Sequence, residues 1–359
     1  MINIDFFSRR CYTRKNENKR EEAVSIKKKK STILKWVLVV VIVGAIIYTF
    51  RDSAGPILEQ LKATAPTVIV GICVMSVIYH LLEGAITAIL AKQYEPEFKY
   101  HWGIGNAFYC SFYRVATLGS GAGIAALVYL NEHGIDYSKG FGLYMLQYAF
   151  HKISIAIYSA IFFTLSFGYM INHFGGYTGV LLTGYVVTMI ITLGLILFCC
   201  SEKFHQLIFK ILAFFNKKGK WDALEAQLRQ QCGELEEASR YLLKRKKMVA
   251  VVILLNMVKF CFWYGIPYLL FIGNGNISII ETMAITALAV MIAAVIPAPA
   301  GIGSTEIMIT TLFSGIVGTG LAGSACLLYR FATFVFPFLA GAVLVVTKKI
   351  QQHRASRNL

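Results

Sequence analysis

The sequence predicts an all-α integral membrane protein with about six full spans plus two opposed re-entrant helical hairpins, arranged as an inverted repeat. Three observations carry this reading. The 359 residues are 57% hydrophobic and only 15% charged, a balance that belongs to several membrane spans rather than to a soluble core. The lysines and arginines behind the formal net charge of +16 gather beside apolar runs, where the positive-inside bias places cytoplasmic segments. Two apolar regions, 103–130 and 278–317, are interrupted by glycine or proline. Such residues remove amide donors or loosen the backbone, so no continuous helix crosses the interruptions.

Taken in order, residues 1–32 hold ten Lys/Arg, ending in Lys27-Lys28-Lys29-Lys30, and read as a basic cytoplasmic arm. The first membrane half, 33–200, contains spans at 33–50 and 66–91, then the hairpin 103–130 broken at Gly119-Ser120-Gly121-Ala122-Gly123. Spans 141–170 and 177–200 follow, joined by a turn at Gly175-Gly176. The run at 33–50 lacks a small-residue cleavage site, so it reads as an uncleaved span. Residues 201–247 carry eleven Lys/Arg against six acids and form a cytoplasmic amphipathic connector. Its Trp221, Leu224, Leu228, Leu235 and Leu242 fall on one helical stripe, placing it on the membrane face or against the protein's own underside. The second membrane half, 248–347, comprises a span at 248–272, the Pro/Gly-broken hairpin 278–317 and a span at 321–347. A basic cytoplasmic tail, 348–359, ends the chain.

Charge decides between topologies. If each broken region were one ordinary span, the basic 201–247 segment would lie outside while the arm lay inside. With both regions re-entrant, every basic segment faces the cytoplasm. Each half of the second hairpin is about 15 residues, roughly 23 Å of helix, short of the hydrocarbon core. An offset of 178 residues lays Gly123-Ile124 on Gly301-Ile302 and Lys152 on Arg330, as a repeat would.

The eight cysteines show no CxxC or Cys/His metal spacing, and six of them sit in apolar segments, so they read as small hydrophobes in a reducing context. No metal site and no cofactor is expected. The basic segments flank spans and match no nucleic-acid module, so anionic lipid at the cytoplasmic face is the partner they imply. A second copy of the chain is left open.

Ionisable groups in apolar runs are costly and face a cavity or one another. Here they are His80, Glu83, Arg114, His151, Lys152, Lys259, Glu281, Glu306 and Arg330. His80 and Glu83, three apart, share a helical face and can pair; they are also candidates for proton coupling. His151 and Lys152 are adjacent, so only one need face the interior. Lys259 and Glu281 lie close enough to span ends to snorkel. Glu306 is the sharpest candidate. With Gly303 as N-cap it is the third helical residue, able to bond back to free amides and to complement the helix dipole. The same carboxylate can bind a proton or a headgroup, countered by Arg330 or Arg114, whose fork geometry grips phosphate or carboxylate. The substrate-binding set is therefore Arg114, Lys152, Pro297, Pro299, Gly301, Gly303, Glu306 and Arg330. Broken helices of this kind point to a transport site near the midplane.

The run Pro297-Ala298-Pro299-Ala300-Gly301-Ile302-Gly303-Ser304-Thr305-Glu306, followed by Tyr329-Arg330, resembles a P-x-P-G-G-x-G-x-x-E … Y-R signature. That signature marks the transmembrane (flippase) region of the lysylphosphatidylglycerol synthase, or MprF-like, family. Phe112 to Gly134, with its glycine break and Leu-Asn-Glu-His-Gly-Ile turn, resembles the family's first motif. Ala300 departs from it, standing where a second glycine is usual. The resemblance covers roughly residues 30–350. It implies a multi-pass bacterial plasma-membrane protein, both termini cytoplasmic, that moves phospholipid between leaflets. The implied cargo includes aminoacylated phosphatidylglycerol, with a consequent role in resistance to cationic antimicrobial peptides. The family's transferase activity resides in a soluble domain that this sequence does not accommodate, so no lysyltransferase activity is expected, and a separate lipid synthase is the implied protein partner. The alternatives are an intramembrane transferase of lipid metabolism and an ion-coupled small-solute transporter. Against the first, no paired loop carboxylates and no nucleophile with a base at helical spacing are present.

Overall fold

The computed structural model describes residues 54–216, 222–273, 277–296, 298 and 301–357. The arm at 1–32 and the expected first span at 33–50 lie outside the described residues, as do Pro297 and Pro299 of the broken motif. Among the described residues every regular element is helical. The first membrane half contains α1 (Ala54–Ala63), α2 (Pro66–Ala91), α3 (Tyr100–Ala116), α4 (Ala122–Asn131), α5 (Tyr137–Leu165), α6 (Phe167–Phe174) and α7 (Thr178–Cys200). The connector supplies α8 (Glu202–Phe215) and α9 (Asp222–Leu243). The second half contains α10 (Lys246–Tyr264), the short α11 (Tyr268–Phe271), α12 (Ile279–Ala293), α13 (Ser304–Val317), α14 (Thr319–Arg330), a π-helical segment (Phe331–Val335) and α15 (Phe336–Arg357).

Four helical stretches among these are long and apolar enough to cross a membrane: Pro66–Ala91, Tyr137–Leu165, Lys246–Tyr264 and Thr319–Gln351. A fifth arises if Thr183–Cys199 and Glu202–Phe214, bent by 98°, count as one span. Their outer faces confirm the solvent they are built for. Val70, Ile190, Leu254 and Val343 keep 61%, 63%, 63% and 65% of their surface exposed, an apolar exterior that suits hydrocarbon and not water. The multi-pass membrane class read from composition therefore stands.

Both broken regions fold as pairs of short helices packed on one another, α3 with α4 and α12 with α13. With 17, 10, 15 and 14 residues, each is about 15–26 Å long and shorter than a bilayer core of roughly 30 Å. The α3 end has a specific backbone cause. The Gly119 N–H reaches Arg114 O at 2.7 Å and the Leu118 N–H reaches Val115 O at 3.2 Å, the paired bonds of a Schellman ending. Leu118 takes the left-handed conformation at φ 52°, where glycine is usual and a leucine is strained.

The connector corrects a detail of the sequence reading. It holds two helices instead of one amphipathic helix, and Trp221 lies outside the described residues. Leu235 and Leu242 are fully buried. Leu235 packs on Ala149 and Cys199, and Leu242 packs among Ile86, Leu90 and Leu130, so α9 lies against the protein itself. The span expected to run to 272 instead ends at Tyr264. Gly265 caps it, and Pro267 disfavours helical backbone just before itself.

Small residues set the helix crossings. A Cβ on Gly84 of α2 would sit 2.6 Å from the Ile104 backbone of α3, and one on Gly103 of α3 would sit 2.2 Å from Gly84 O. On another side of α3, a Cβ on Gly341 of α15 would meet Phe108 O at 2.3 Å. In lipid, apolar helices gain little by leaving solvent, so backbone contact of this kind supplies the packing. Gly103→Ala should therefore lower the thermal midpoint of the detergent-purified protein, losing about 1–3 kcal/mol to overpacking. Gly194→Ala, whose Cβ meets nothing within 4 Å, should leave the midpoint unchanged or raised. Equal midpoints for the two variants would contradict this packing.

Candidate functional site

Two charged centres lie inside the helical body. The first joins the second broken helix pair to the helix after it. Glu306 is the third residue of α13, and its Oε2 accepts a bond from the Gly303 N–H at 2.8 Å. Gly303, at φ +83°, has no side chain to return the bond, so the carboxylate alone caps the helix. The other oxygen, Oε1, accepts from Arg330 Nε at 2.6 Å. Arg330 Nη2 donates to Gly301 O at 3.1 Å, and the guanidinium lies 4.9 Å from the Phe334 ring centre. One arginine thus ties a carboxylate and a loop carbonyl of the break to α14. Glu306 is both helix cap and ion-pair partner, and Arg330 is its counter-ion.

The chain changes helical type directly after Arg330, and the sequence says why. Phe336 N–H bonds Phe331 O, five residues back. In that register the carbonyl of Ala332 would look to residue 337, which is a proline without an N–H. The Ser76 hydroxyl of α2 fills the gap, donating to Ala332 O at 2.6 Å. π-Segments inside helices often mark functional positions, and here the segment docks on α2.

The second centre is a cavity of about 440 Å³ among α2, α3, α4, α5 and α10, lined by His80, Glu83, Arg114, Gln147, His151 and Trp263 among others. At its floor Lys259 of α10 is fully buried. Its ammonium has three protons and three acceptors: Glu83 Oε2 at 2.5 Å, Asn256 Oδ1 at 2.7 Å and His151 Nδ1 at 3.2 Å. The last contact requires an unprotonated Nδ1, which places the His151 proton on Nε2. Gln147 Nε2 donates to Glu83 Oε1 at 2.8 Å, so both carboxylate oxygens are engaged. His80 Nδ1 donates to Ser76 O at 2.8 Å, and its Nε2 faces Ser111 Oγ at 3.2 Å. Ser76 therefore bonds His80 of the cavity through its carbonyl and the π-segment that follows Arg330 through its hydroxyl. Arg114, exposed in the last turn of α3, lines the same cavity. Its side chain has no hydrogen bond or ion pair among the described residues.

A third group of charges stands at the turn after α4. Glu132 pairs with Lys348 of α15, and Lys348 lies 4.4 Å from the centre of the Tyr129 ring. His133 stacks on that ring. Burial lowers its imidazole below the ordinary value, with Lys348 adding to the effect.

The sequence-derived residues therefore divide. Gly301, Gly303, Glu306 and Arg330 come together, whereas His80, Glu83 and Arg114 share the cavity. Lys152 belongs to neither set, its ammonium lying 5.5 Å from the Tyr148 ring centre. Two expectations need correction. His80 and Glu83 do not pair, because each is taken by a partner on another helix. Lys259 does not snorkel, since a carboxylate buried beside it supplies what water would. Glu281 forms a capping box with Ser278 at the start of α12. Gln147, Asn256 and Ser76 were missed. Gln147 and Asn256 had the signal already used for charged groups, an amide inside an apolar span.

These features define the class, a polytopic helical membrane protein with charged groups satisfied inside its helix bundle. The chain belongs to the family of lysylphosphatidylglycerol synthase transmembrane regions, whose family model matches residues 35–341. It is also similar to a UPF0104 membrane protein of Pyrococcus horikoshii, 25% identical over 173 residues, which cover 46% of this chain and 52% of that protein. The chain thus spans about half the length of that curated relative.

Breaking a buried ion pair strands a charge, while removing both charges together is often nearly neutral. Lys259→Met should destabilise the protein by about 3–5 kcal/mol. Adding Glu83→Gln should recover most of that loss, as read by thermal unfolding in detergent. A double variant no more stable than the single one would show that the two groups do not act as a pair.

Proposed function

We propose that this chain is a lipid translocase, moving phospholipid between the leaflets of the membrane it spans. The observation that carries the reading is the bonding of Arg330, at the end of α14, to Glu306 and to Gly301 O at a glycine-rich break between two short apolar helices. Broken helices at membrane depth are tolerated where protein or a polar cavity covers the freed backbone, and transporters place their substrate sites at such breaks. Membership in a family described by a lipid synthase adds the cargo class.

In this proposal the two short-helix pairs are re-entrant hairpins entering from opposite sides of a six-span body, with the basic segments and both termini cytoplasmic in a bacterial plasma membrane. The headgroup crosses through the interior while acyl chains stay in lipid. Arg330 holds the break closed through Glu306 and Gly301 O. A competing headgroup charge loosens that grip, and the π-segment bonded to Ser76 conveys the change to α2. If lysylphosphatidylglycerol is carried, its arrival in the outer leaflet lowers the surface's attraction for cationic peptides. A separate synthase then supplies it.

The test is a leaflet-exchange assay in proteoliposomes with fluorescent phosphatidylglycerol and lysylphosphatidylglycerol. Wild type should equilibrate at least one lipid faster than empty vesicles. Glu306→Gln and Arg330→Ala should lose at least about tenfold in rate, the scale of one charge-assisted bond, while retaining a folded helical spectrum. Exchange no faster than in empty vesicles for both lipids would overturn the proposal in favour of a solute transporter or a transferase.

A further inference from the structure

His80 of α2 and Ser111 of α3 both line the cavity, and the Lys259 network uses neither. They are 31 residues apart in the chain, yet the fold sets Nε2 of the imidazole 3.2 Å from the serine Oγ. The other ring nitrogen decides the tautomer. Nδ1 lies 2.8 Å from Ser76 O, which only accepts, so Nδ1 carries the proton and Nε2 of the neutral ring is a bare acceptor. Two facing lone pairs would repel, so the contact forms when the Ser111 hydroxyl points its proton at Nε2. Its other acceptor is Ala107 O at 2.9 Å, one helical turn back, and turning the O–H about the Cβ–Oγ bond exchanges the two. The imidazole is held in its plane, stacked on Phe108 with ring centres 4.7 Å apart and edge-on to Tyr79 at 5.3 Å. A hydroxyl, a base within hydrogen-bond reach and a third group that orients the base are what activates a nucleophile. Arg114 follows Ser111 by three residues on α3, so it shares that helical face. It lines the same cavity, where a guanidinium stabilises negative charge developing on a substrate oxygen.

We propose that Ser111 is the nucleophile of an ester-cleaving site, with His80 as general base and Arg114 beside the carbonyl oxygen, and that its substrate class is a membrane-dissolved carboxylic ester. In the first step Oγ bonds the carbonyl carbon as its proton passes to Nε2, and the carbonyl electron pair moves onto the oxygen near Arg114. Return of that pair breaks the ester C–O bond, and the leaving alcohol takes the proton from Nε2. Water then repeats the sequence on the acyl-serine, releasing the acid and restoring the hydroxyl. The activity is separate from the translocase reading, since no step moves a molecule between leaflets. A lipid acyl chain and an ester-linked headgroup substituent both supply such a carbonyl.

The test uses a fluorophosphonate probe on the full chain in detergent. Oγ displaces fluoride from phosphorus, and the modified residue is located by peptide mass spectrometry. Wild type should carry the label on Ser111, and Ser111→Ala should carry none. His80→Gln and Arg114→Gln, with thermal midpoints unchanged, should each label about a hundredfold more slowly. The ester's source is then read in nanodiscs containing phosphatidylglycerol or its lysyl ester. Fatty acid released above the level of empty nanodiscs assigns the acyl chain, and released lysine assigns the headgroup ester. Wild type left unlabelled, or labelled at another residue, would overturn the proposal, a result that needs no variant. So would an undiminished rate in a folded His80→Gln protein, or release of neither product. A chain that exchanges lipid between leaflets yet takes no label would lose this inference and keep the translocase reading.

Discussion

The ion pair between Lys259 and Glu83 is the constraint on which the interior depends. A fully buried ammonium in an apolar bundle is tolerable only when every proton has an acceptor, and here each acceptor is fixed on a particular helix. Glu83 comes from α2, His151 from α5 and Asn256 from α10 itself. Satisfying one cation therefore fixes the relative rotation of three helices. α3, pressed against α2 where Gly84 and Gly103 meet, closes the cavity above it. Apolar packing alone would allow these helices to slide, because lipid and leucine are nearly equivalent solvents. The network sets the register.

The second charged centre works differently. Arg330 and Glu306 are joined to irregular backbone at Gly301 and Gly303, both in left-handed conformations, and to a π-segment. The Lys259 site, by contrast, has every donor assigned between regular helices. Ser76 lies between them, offering its carbonyl to His80 and its hydroxyl to Ala332. One centre is thus built on regular helices and the other on irregular backbone. The translocation proposed above draws on both, a bundle that stays assembled and a break that opens and reseals.

Much of this was legible in the sequence. Hydropathy marked the long helices, and glycine and proline marked both breaks, since those residues act through local backbone physics. The cap at Glu306 followed from its distance of three residues from Gly303. Long-range partners were not legible. Lys259 and Glu83 are 176 residues apart, and periodicity can say that a charge sits in a span without saying which helix faces it. That is why His80 and Glu83 were read as a local pair and Lys259 as a snorkelling residue. The π-segment was hidden for a related reason. Pro337 signals that a carbonyl loses its donor, but only the fold shows that Ser76 replaces it.

The account stands or falls on lipid entering the interior of the bundle. The most direct measurement places a photo-crosslinking benzoylphenylalanine at Tyr148, which lines the cavity, and in a separate protein at Leu254, on the apolar exterior. Both are irradiated in native membranes, and the adducts are identified by mass spectrometry. The account predicts phospholipid adducts at both positions, those at Leu254 following bulk lipid. Lipid adducts at Leu254 with none at Tyr148 would contradict it.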